Sequence, residues 1–164
     1  MVGCFLHNAE AKRRPMFAEV MCDKAYRAYR VRLETLLHIP VDASDQDIHE
    51  LIEAGFSATS VKTLCDLGAL SPVACSHIIS LNTLNTRLAR GQHLSVSESD
   101  RLFRHAHITA MAEVLFGDGK KARRWLSKSK ARFSGENPIA LLSTSPGTRL
   151  VEEMLIQVAE GLAF

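Results

Sequence analysis

Residues 71–91, SPVACSHIISLNTLNTRLARG, contain the pattern that decides the fold of this 164-residue chain. Ser71 is a favourable N-cap, and Pro72 follows at the first helical position, where its missing N–H costs nothing. The stretch therefore predicts a short helix, with apolar positions at Val73, Ala74, Ile78 and Ile79.

A polar break at 80–82 separates that helix from a second one, predicted over Thr83 to Arg90 and closed by Gly91. Its inward positions are Leu84 and Leu88, and its outward positions are Asn85, Thr86, Arg87 and Arg90. Two short helices joined by a tight polar turn, the second with a polar and basic outer face, have the layout of a helix-turn-helix.

Helices are also predicted upstream of this stretch. Apolar residues recur at spacings of three and four from Met16 to Leu37, and Pro40 ends that helix. Two capped helices follow, from Asp42 or Ser44 to Gly55 and from Ser57 or Thr59 to Gly68. The second is expected to bury Val61, Leu64 and Leu67.

Downstream, Ser95 and Glu98 have the spacing of a capping box and predict a long helix that ends at 117–119. Its wide apolar face is typical of a strut covered on several sides. Shorter helices are predicted to begin at Asp118, Asn137-Pro138 and Ser145-Pro146, the last ending at Gly161. Because no segment alternates polar and apolar residues convincingly, we expect an all-α protein.

Composition limits the possible functions. The net charge of +2 and the pI of about 8.4 are mild, so a DNA-binding interpretation must rest on local clustering of charge. No apolar run approaches the roughly 20 residues that span a bilayer, so we expect a cytoplasmic protein without a membrane partner. Four cysteines without a C-x-x-C pair favour reduced, partly buried thiols. His105 and His107 are a poor metal pair, since residues two apart face different ways on a helix.

Catalytic motifs are absent from the sequence. It contains no G-x-S-x-G elbow, no phosphate-binding glycine loop followed by lysine and no H-E-x-x-H. We therefore expect no enzyme activity, no cofactor, no metal and no small-molecule substrate.

The second helix of the helix-turn-helix carries the candidate DNA contacts. Asn85 and Arg87 belong to residue types that form bidentate hydrogen bonds with adenine and guanine edges. The full candidate set is Asn82, Thr83, Asn85, Thr86, Arg87 and Arg90, with Lys62, Arg101 and Arg104 as candidates for phosphate contacts. The alternative for each is an ordinary solvated side chain.

In the C-terminal part, Trp125 and Phe133 are expected to be core anchors, and the basic residues Lys120, Lys121, Arg123 and Arg124 are interpreted as a solvated face. The chain ends on apolar residues, and Leu162 and Phe164 could insert into a pocket of a partner.

A series of separated short motifs resembles one protein family. They are Glu98-Ser99-Asp100-Arg101 with Arg104, Phe116-Gly117-Asp118, Ala122, Trp125-Leu126, Gly135, Pro138, Leu141-Leu142, Thr144, Gly147, Val151 and Gly161. In this order they are similar to the Xre/MbcA/ParS antitoxins, over about residues 16–164. The division that follows is a basic N-terminal arm at 1–15, an Xre-like helix-turn-helix and dimerisation region at 16–106, and a toxin-binding domain at 107–164.

The resemblance implies a type II toxin-antitoxin role. Members bind and neutralise an adjacently encoded RES-domain toxin that consumes NAD, and they repress their own operon as dimers on operator DNA. The toxin-binding residues that the resemblance implies are Trp125, Glu160, Gly161, Leu162, Ala163 and Phe164. The DNA-binding helix carries fewer basic residues than is usual in the family. Two alternatives remain: a stand-alone helix-turn-helix regulator, and a toxin-binding protein that has lost DNA binding.

Overall fold

The computed structural model describes residues 21–161, and within them it is all-helical, with no strand. Nine α-helices and one short 3₁₀ turn follow in chain order: α1 Asp23–Leu37, α2 Asp45–Ala54, α3 Ala58–Asp66, α4 Pro72–Ile78, α5 Leu81–Ala89, α6 Val96–Phe116, α7 Gly119–Ser127, the 3₁₀ turn Ala131–Phe133, α8 Pro138–Leu141 and α9 Ser145–Ala159. The predicted arm at 1–15 and the apolar end at 162–164 lie outside the described residues. The predicted fold class is confirmed.

Most helix starts follow the local capping chemistry. Ser44 with Asp47, and Ser95 with Glu98, form complete capping boxes in which side chain and backbone satisfy each other's donors. Two predicted boundaries were displaced. The helix α5 begins at Leu81 instead of Thr83, because Ser80 is its N-cap. The first helix was predicted from Met16, but α1 begins at Asp23 after the extended N-cap Cys22. The helix α9 begins at Ser145 as predicted, with Thr144 as its N-cap.

The long helix α6 is the centre of the molecule. It packs against α1, α2, α4, α7 and α9, and its Leu102, Ile108 and Met111 are fully buried. The buried apolar side chains of both halves form one continuous cluster around it. The predicted strut is therefore the element against which the rest of the chain folds.

A hydrogen-bonded chain of three side chains joins the first and last helices through α6. The Tyr29 hydroxyl lies 2.6 Å from His107 Nδ1, and His107 Nε2 lies 2.8 Å from the Glu152 carboxylate. A neutral imidazole satisfies both contacts when Nε2–H donates to Glu152 and Nδ1 accepts from Tyr29. Burial raises the pKa of Tyr29, which keeps its hydroxyl a donor.

The corner between α2 and α3 is fastened to the segment that leads into α6. Gly55 has φ +84°, and a Cβ there would collide with the carbonyl oxygen of Leu94, so glycine is required for both reasons. His93 Nδ1 lies 2.7 Å from the Gly55 carbonyl, which identifies that nitrogen as the donor. The Ser99 hydroxyl accepts the Phe56 N–H at 3.0 Å. These contacts fix the start of α6 relative to the corner between α2 and α3.

Two expectations about individual residues were wrong. Leu67 is 67% exposed, because α3 ends at Asp66 and Leu67 does not continue the face of Val61 and Leu64. Cys65 and Cys75 are joined by a disulfide instead of being free thiols. The tight turn between α3 and α4 brings their Cα atoms to 6.8 Å, a proximity that the ten-residue separation did not reveal.

Candidate nucleic-acid interface and C-terminal binding surface

The helix α5 presents a polar face to solvent. Leu84 is buried beneath it, and Ser80 caps its start by accepting the Thr83 N–H. The exposed predicted DNA contacts on this face are Asn82, Thr83, Asn85, Thr86 and Arg90. The geometry thus agrees with the second helix of a helix-turn-helix, whose N-terminal residues face the base edges.

Within that face the two asparagines are the side chains available for readout. The Thr83 hydroxyl lies 2.8 Å from Ser80 Oγ, and the Thr86 hydroxyl donates to the Asn82 carbonyl at 3.0 Å. The side-chain amides of Asn82 and Asn85 make no hydrogen bond to any residue within 21–161. They are three residues apart and so share one side of the helix. An amide of this kind can form paired hydrogen bonds with an adenine edge.

Arg87 is engaged inside the protein. Its guanidinium donates to the His93 carbonyl at 3.0 Å and pairs with the Glu98 carboxylate at 3.1 Å, and only 25% of the side chain is exposed. Burial opposes the ionisation of Glu98, but its bonds to Ser95 and the nearby Arg87 outweigh that effect and hold the pKa of the carboxyl below its usual value. Arg87 therefore ties α5 to the N-terminus of α6 in this state of the protein.

The candidate phosphate contacts of the helix-turn-helix region are also paired. Arg101 donates to the Ile78 carbonyl and to Ser97, and Arg104 pairs with Asp100 at 2.9 Å. Lys62 pairs with Asp66 at 2.6 Å. Arg90 differs from these, since it is exposed and no side-chain bond joins it to another residue of 21–161.

The C-terminal part is organised around Trp125 and Phe133. Phe133 is buried, and Trp125 is partly buried, with its ring centroid 5.8 Å from that of Phe116 and 4.7 Å from the Lys130 ammonium. Burial and the neighbouring Lys128 lower the pKa of Lys130. Phe133 is a core anchor as expected, whereas Trp125 packs against the core and is only partly buried.

The last helix, α9, ends where a contact with a partner was expected. Its C-cap Glu160 is exposed, and Gly161 turns the chain with φ +72°. Gly147 lies in the first turn of α9, where a Cβ would collide with the Leu141 carbonyl oxygen, so glycine lets α9 pack closely on α8. Leu162, Ala163 and Phe164 lie outside the described residues.

Sequence reasoning missed the partners of Arg87 and the chain formed by Tyr29, His107 and Glu152. The capping box correctly located Glu98, but nothing nearby in the sequence indicated that its second oxygen receives an arginine eleven residues upstream. Tyr29 lies 78 positions before His107 in the sequence, and Glu152 lies 45 positions after it. No local sequence pattern indicates contacts between residues so far apart.

Comparison with known proteins agrees with this architecture. Residues 47–107 match the antitoxin Xre-like helix-turn-helix domain, and residues 111–161 match the antitoxin Xre/MbcA/ParS C-terminal toxin-binding domain. The molecule is thus of the class that joins a helix-turn-helix to a toxin-binding domain, and the chain belongs to the Xre/MbcA/ParS antitoxin family. It is similar to "Antitoxin Xre" of Pseudomonas putida KT2440, with 56% identity over 154 residues, covering 94% of this chain and 96% of that protein.

The predicted family, the helix-turn-helix and the antitoxin class are therefore confirmed. Among residues 21–161, no helix combines the length and the apolar character needed to cross a membrane.

Proposed function

We propose that this antitoxin neutralises an adjacently encoded RES-domain toxin that consumes NAD, and that it represses its own operon by binding operator DNA as a homodimer. One observation carries the proposal: α6 joins an exposed α5 directly to the toxin-binding domain, so one molecule presents both surfaces. This role places the protein in the cytoplasm with its operator, and it requires no catalysis by the antitoxin itself.

On the DNA side, Asn82 and Asn85 are the proposed base-reading residues. Both are exposed near the start of α5, and the side-chain amide of each forms no hydrogen bond with a residue within 21–161. Arg90 is the proposed phosphate contact on the same helix. Arg87 acts through its bonds to Glu98 and His93, which hold α5 at its angle to α6.

On the toxin side, the proposed surface includes Trp125, Glu160 and Gly161, together with the terminal residues 162–164. The first three are at least partly exposed. An apolar aromatic residue such as Phe164 suits a partner pocket that takes one ring.

Co-expression with the neighbouring gene product, with a tag on only one partner, tests the toxin complex. We expect the two proteins to purify together, and we expect deletion of 162–164 to reduce protection of cells while the helical circular dichroism signal is unchanged. Failure of the full-length chain to form a complex would contradict the antitoxin role and would favour a stand-alone regulator.

A gel-shift assay on the upstream region tests repression. We expect Asn85→Ala to weaken operator binding by about 1–3 kcal/mol and to leave binding to unrelated duplex unchanged. Gln46→Ala on the exposed face of α2 is the matched control. A protein that binds toxin but shifts no DNA would be a neutralising partner without a regulatory role. Light scattering on the purified antitoxin checks the homodimer.

A further inference from the structure

The outward face of α7 is rich in basic residues. Residues 118–133 contain seven basic residues and one acidic residue, whereas the whole protein has a net charge of only +2. Since each helical residue advances by about 100°, a single sector of about 100° around the axis of α7 contains four of these cations. They are Lys120, Lys121, Arg124 and Lys128, the last at the C-cap.

These four side chains are exposed, and none forms an ion pair with any residue from 21 to 161. Their neighbour Arg123 differs, since it lies 3.9 Å from Glu113. Asp118 is the single carboxylate of the segment, and it is used as the N-cap: it accepts the N–H groups of Lys120 and Lys121, which keep its pKa below the usual value. The face therefore carries a positive charge that the described protein does not neutralise.

The position of α7 connects this face to the helix-turn-helix. A cavity of about 220 Å³ separates the two, with Ser71 and the turn at 68–70 on one side and Arg123, Arg124 and Ser127 of α7 on the other. Ser71 caps α4, which is the first helix of the helix-turn-helix. In this motif the first helix crosses the DNA backbone while the second enters the groove. Of the four cations, Arg124 thus lies across this cavity from the N-cap of the helix that meets phosphates in this motif.

We propose that the outward face of α7 binds the phosphodiester backbone of DNA, so that the DNA-contacting surface extends from the helix-turn-helix onto the toxin-binding domain. The inference rests on the DNA binding proposed above and names a second surface for it. Three of the four residues are lysines, which are depleted from protein–protein interfaces but serve well as point charges against phosphates. This composition and the adjacency to α4 favour DNA over an acidic protein surface.

The test is the salt dependence of DNA binding by the full-length protein. Each phosphate contact releases counterions and contributes about 0.9 to the slope of log K against log salt concentration. We expect Lys121→Gln/Arg124→Gln/Lys128→Gln to lower the magnitude of that slope by about 2–3 between about 50 and 200 mM KCl. The loss should be the same on the upstream duplex and on an unrelated duplex of equal length, since phosphate contacts carry no sequence information.

The matched control removes the same charge elsewhere: Lys24→Gln/Arg27→Gln/Arg149→Gln replaces three exposed cations on α1 and α9. Its slope should remain close to that of the wild type. Circular dichroism confirms that both variants are folded, and co-purification with the adjacent gene product reports on toxin binding.

Two results would overturn the inference in distinguishable ways. If the wild type binds DNA and the α7 variant keeps the same slope, the surface is not a phosphate contact, although the regulatory role stands. Loss of toxin co-purification in that variant would then assign the basic face of α7 to toxin binding. If the wild type itself shows no salt-dependent binding to either duplex, the proposed DNA binding fails, and this inference fails with it.

Discussion

Three arginines of the N-terminal half and the exposed cations of α7 are used in opposite ways. Arg30 donates to three backbone carbonyls, and Arg87 and Arg104 each pair with a carboxylate of α6. Along α7, by contrast, Lys121 and Arg124 extend into solvent without a partner among residues 21–161. Formal charge is the same in both groups, but the first three arginines are bonded within the protein, whereas the cations of α7 are available to a ligand.

The difference shows that counting cations on a motif does not reveal which of them are free to contact a ligand. An arginine whose donors are already bonded must give up those bonds before it can contact a phosphate or a base. Substitution of Arg30 or Arg87 should therefore change stability, whereas substitutions of the cations on α7 should change binding. The predictions below follow this division from the largest effect to the smallest.

The largest effect is expected at Arg30, which is 4% exposed. Its guanidinium holds the turn after α1 by donating to Val41, Pro40 and Ala43 at 3.0, 3.1 and 2.6 Å. Arg30→Met keeps the aliphatic packing but leaves three carbonyls without that donor, so the free energy of unfolding should fall by about 3 kcal/mol in urea titrations. Arg27→Met, at an exposed site of the same helix, should cost no more than about 0.5 kcal/mol. Equal losses in the two variants would contradict the division.

Acid should destabilise the protein through His105. Burial, with His77 and Arg104 nearby, lowers the pKa of His105 to about 4, against about 6.5 in an unfolded chain. Above pH 6.5 both states are neutral at this site. Between pH 6.5 and pH 4 the unfolded state binds the proton first, so the free energy of unfolding should fall, by up to about 3 kcal/mol from this group.

The measurement is urea unfolding at several pH values. His105→Leu should remove this part of the decline, since no proton can then be taken up at that position. His49→Leu, on the exposed surface of α2, should leave it in place. A decline of the same size in the His105 variant would show that other groups cause it.

A smaller loss is expected at Arg87, because its contacts are partly open to solvent. Arg87→Met removes the pair with Glu98 and the bond to the His93 carbonyl, which should lower the free energy of unfolding by about 1–2 kcal/mol. Arg90→Met on the same helix should change it by less than about 0.5 kcal/mol. If Arg87→Met abolishes operator binding with unchanged stability, Arg87 leaves its internal partners to read a base.

The smallest effect on stability is expected on α7. Lys121→Gln/Arg124→Gln/Lys128→Gln removes charges that repel one another and that pair with nothing within 21–161, so its urea midpoint should match that of the wild type within about 0.5 kcal/mol. A loss of more than about 1 kcal/mol would mean that this face supports the fold and would erase the contrast between the two regions.

Much of the fold could be predicted because its helix starts are local. Ser95 and Glu98 are only three residues apart, so their capping box can be recognised in the sequence, and it predicts the start of α6. The start of α5 was placed two residues late because Ser80 fits both a polar break and an N-cap. Only the hydrogen bond from the Thr83 N–H to Ser80 Oγ distinguishes them.

The candidate site was less predictable because it depends on distant partners. The exposed face of α5 follows from spacing around Leu84, but the engagement of Arg87 depends on Glu98 being brought alongside by the turn between α5 and α6. The disulfide between Cys65 and Cys75 likewise depends on how tightly two helices turn. Periodicity describes one element at a time and cannot supply such pairings.

The boundary between the two matched domains falls inside α6, with 47–107 on one side and 111–161 on the other. A continuous helix of 21 residues is a rod of about 30 Å with no linker to bend. The helix therefore sets the rotation and the distance of the toxin-binding domain relative to the helix-turn-helix, and the same holds for any ligand that each of them binds. Inserting a single residue in the middle of that helix would rotate the C-terminal domain by about 100° and shift it by about 1.5 Å along the helix axis. The length of α6 therefore determines how the two binding surfaces are oriented relative to each other.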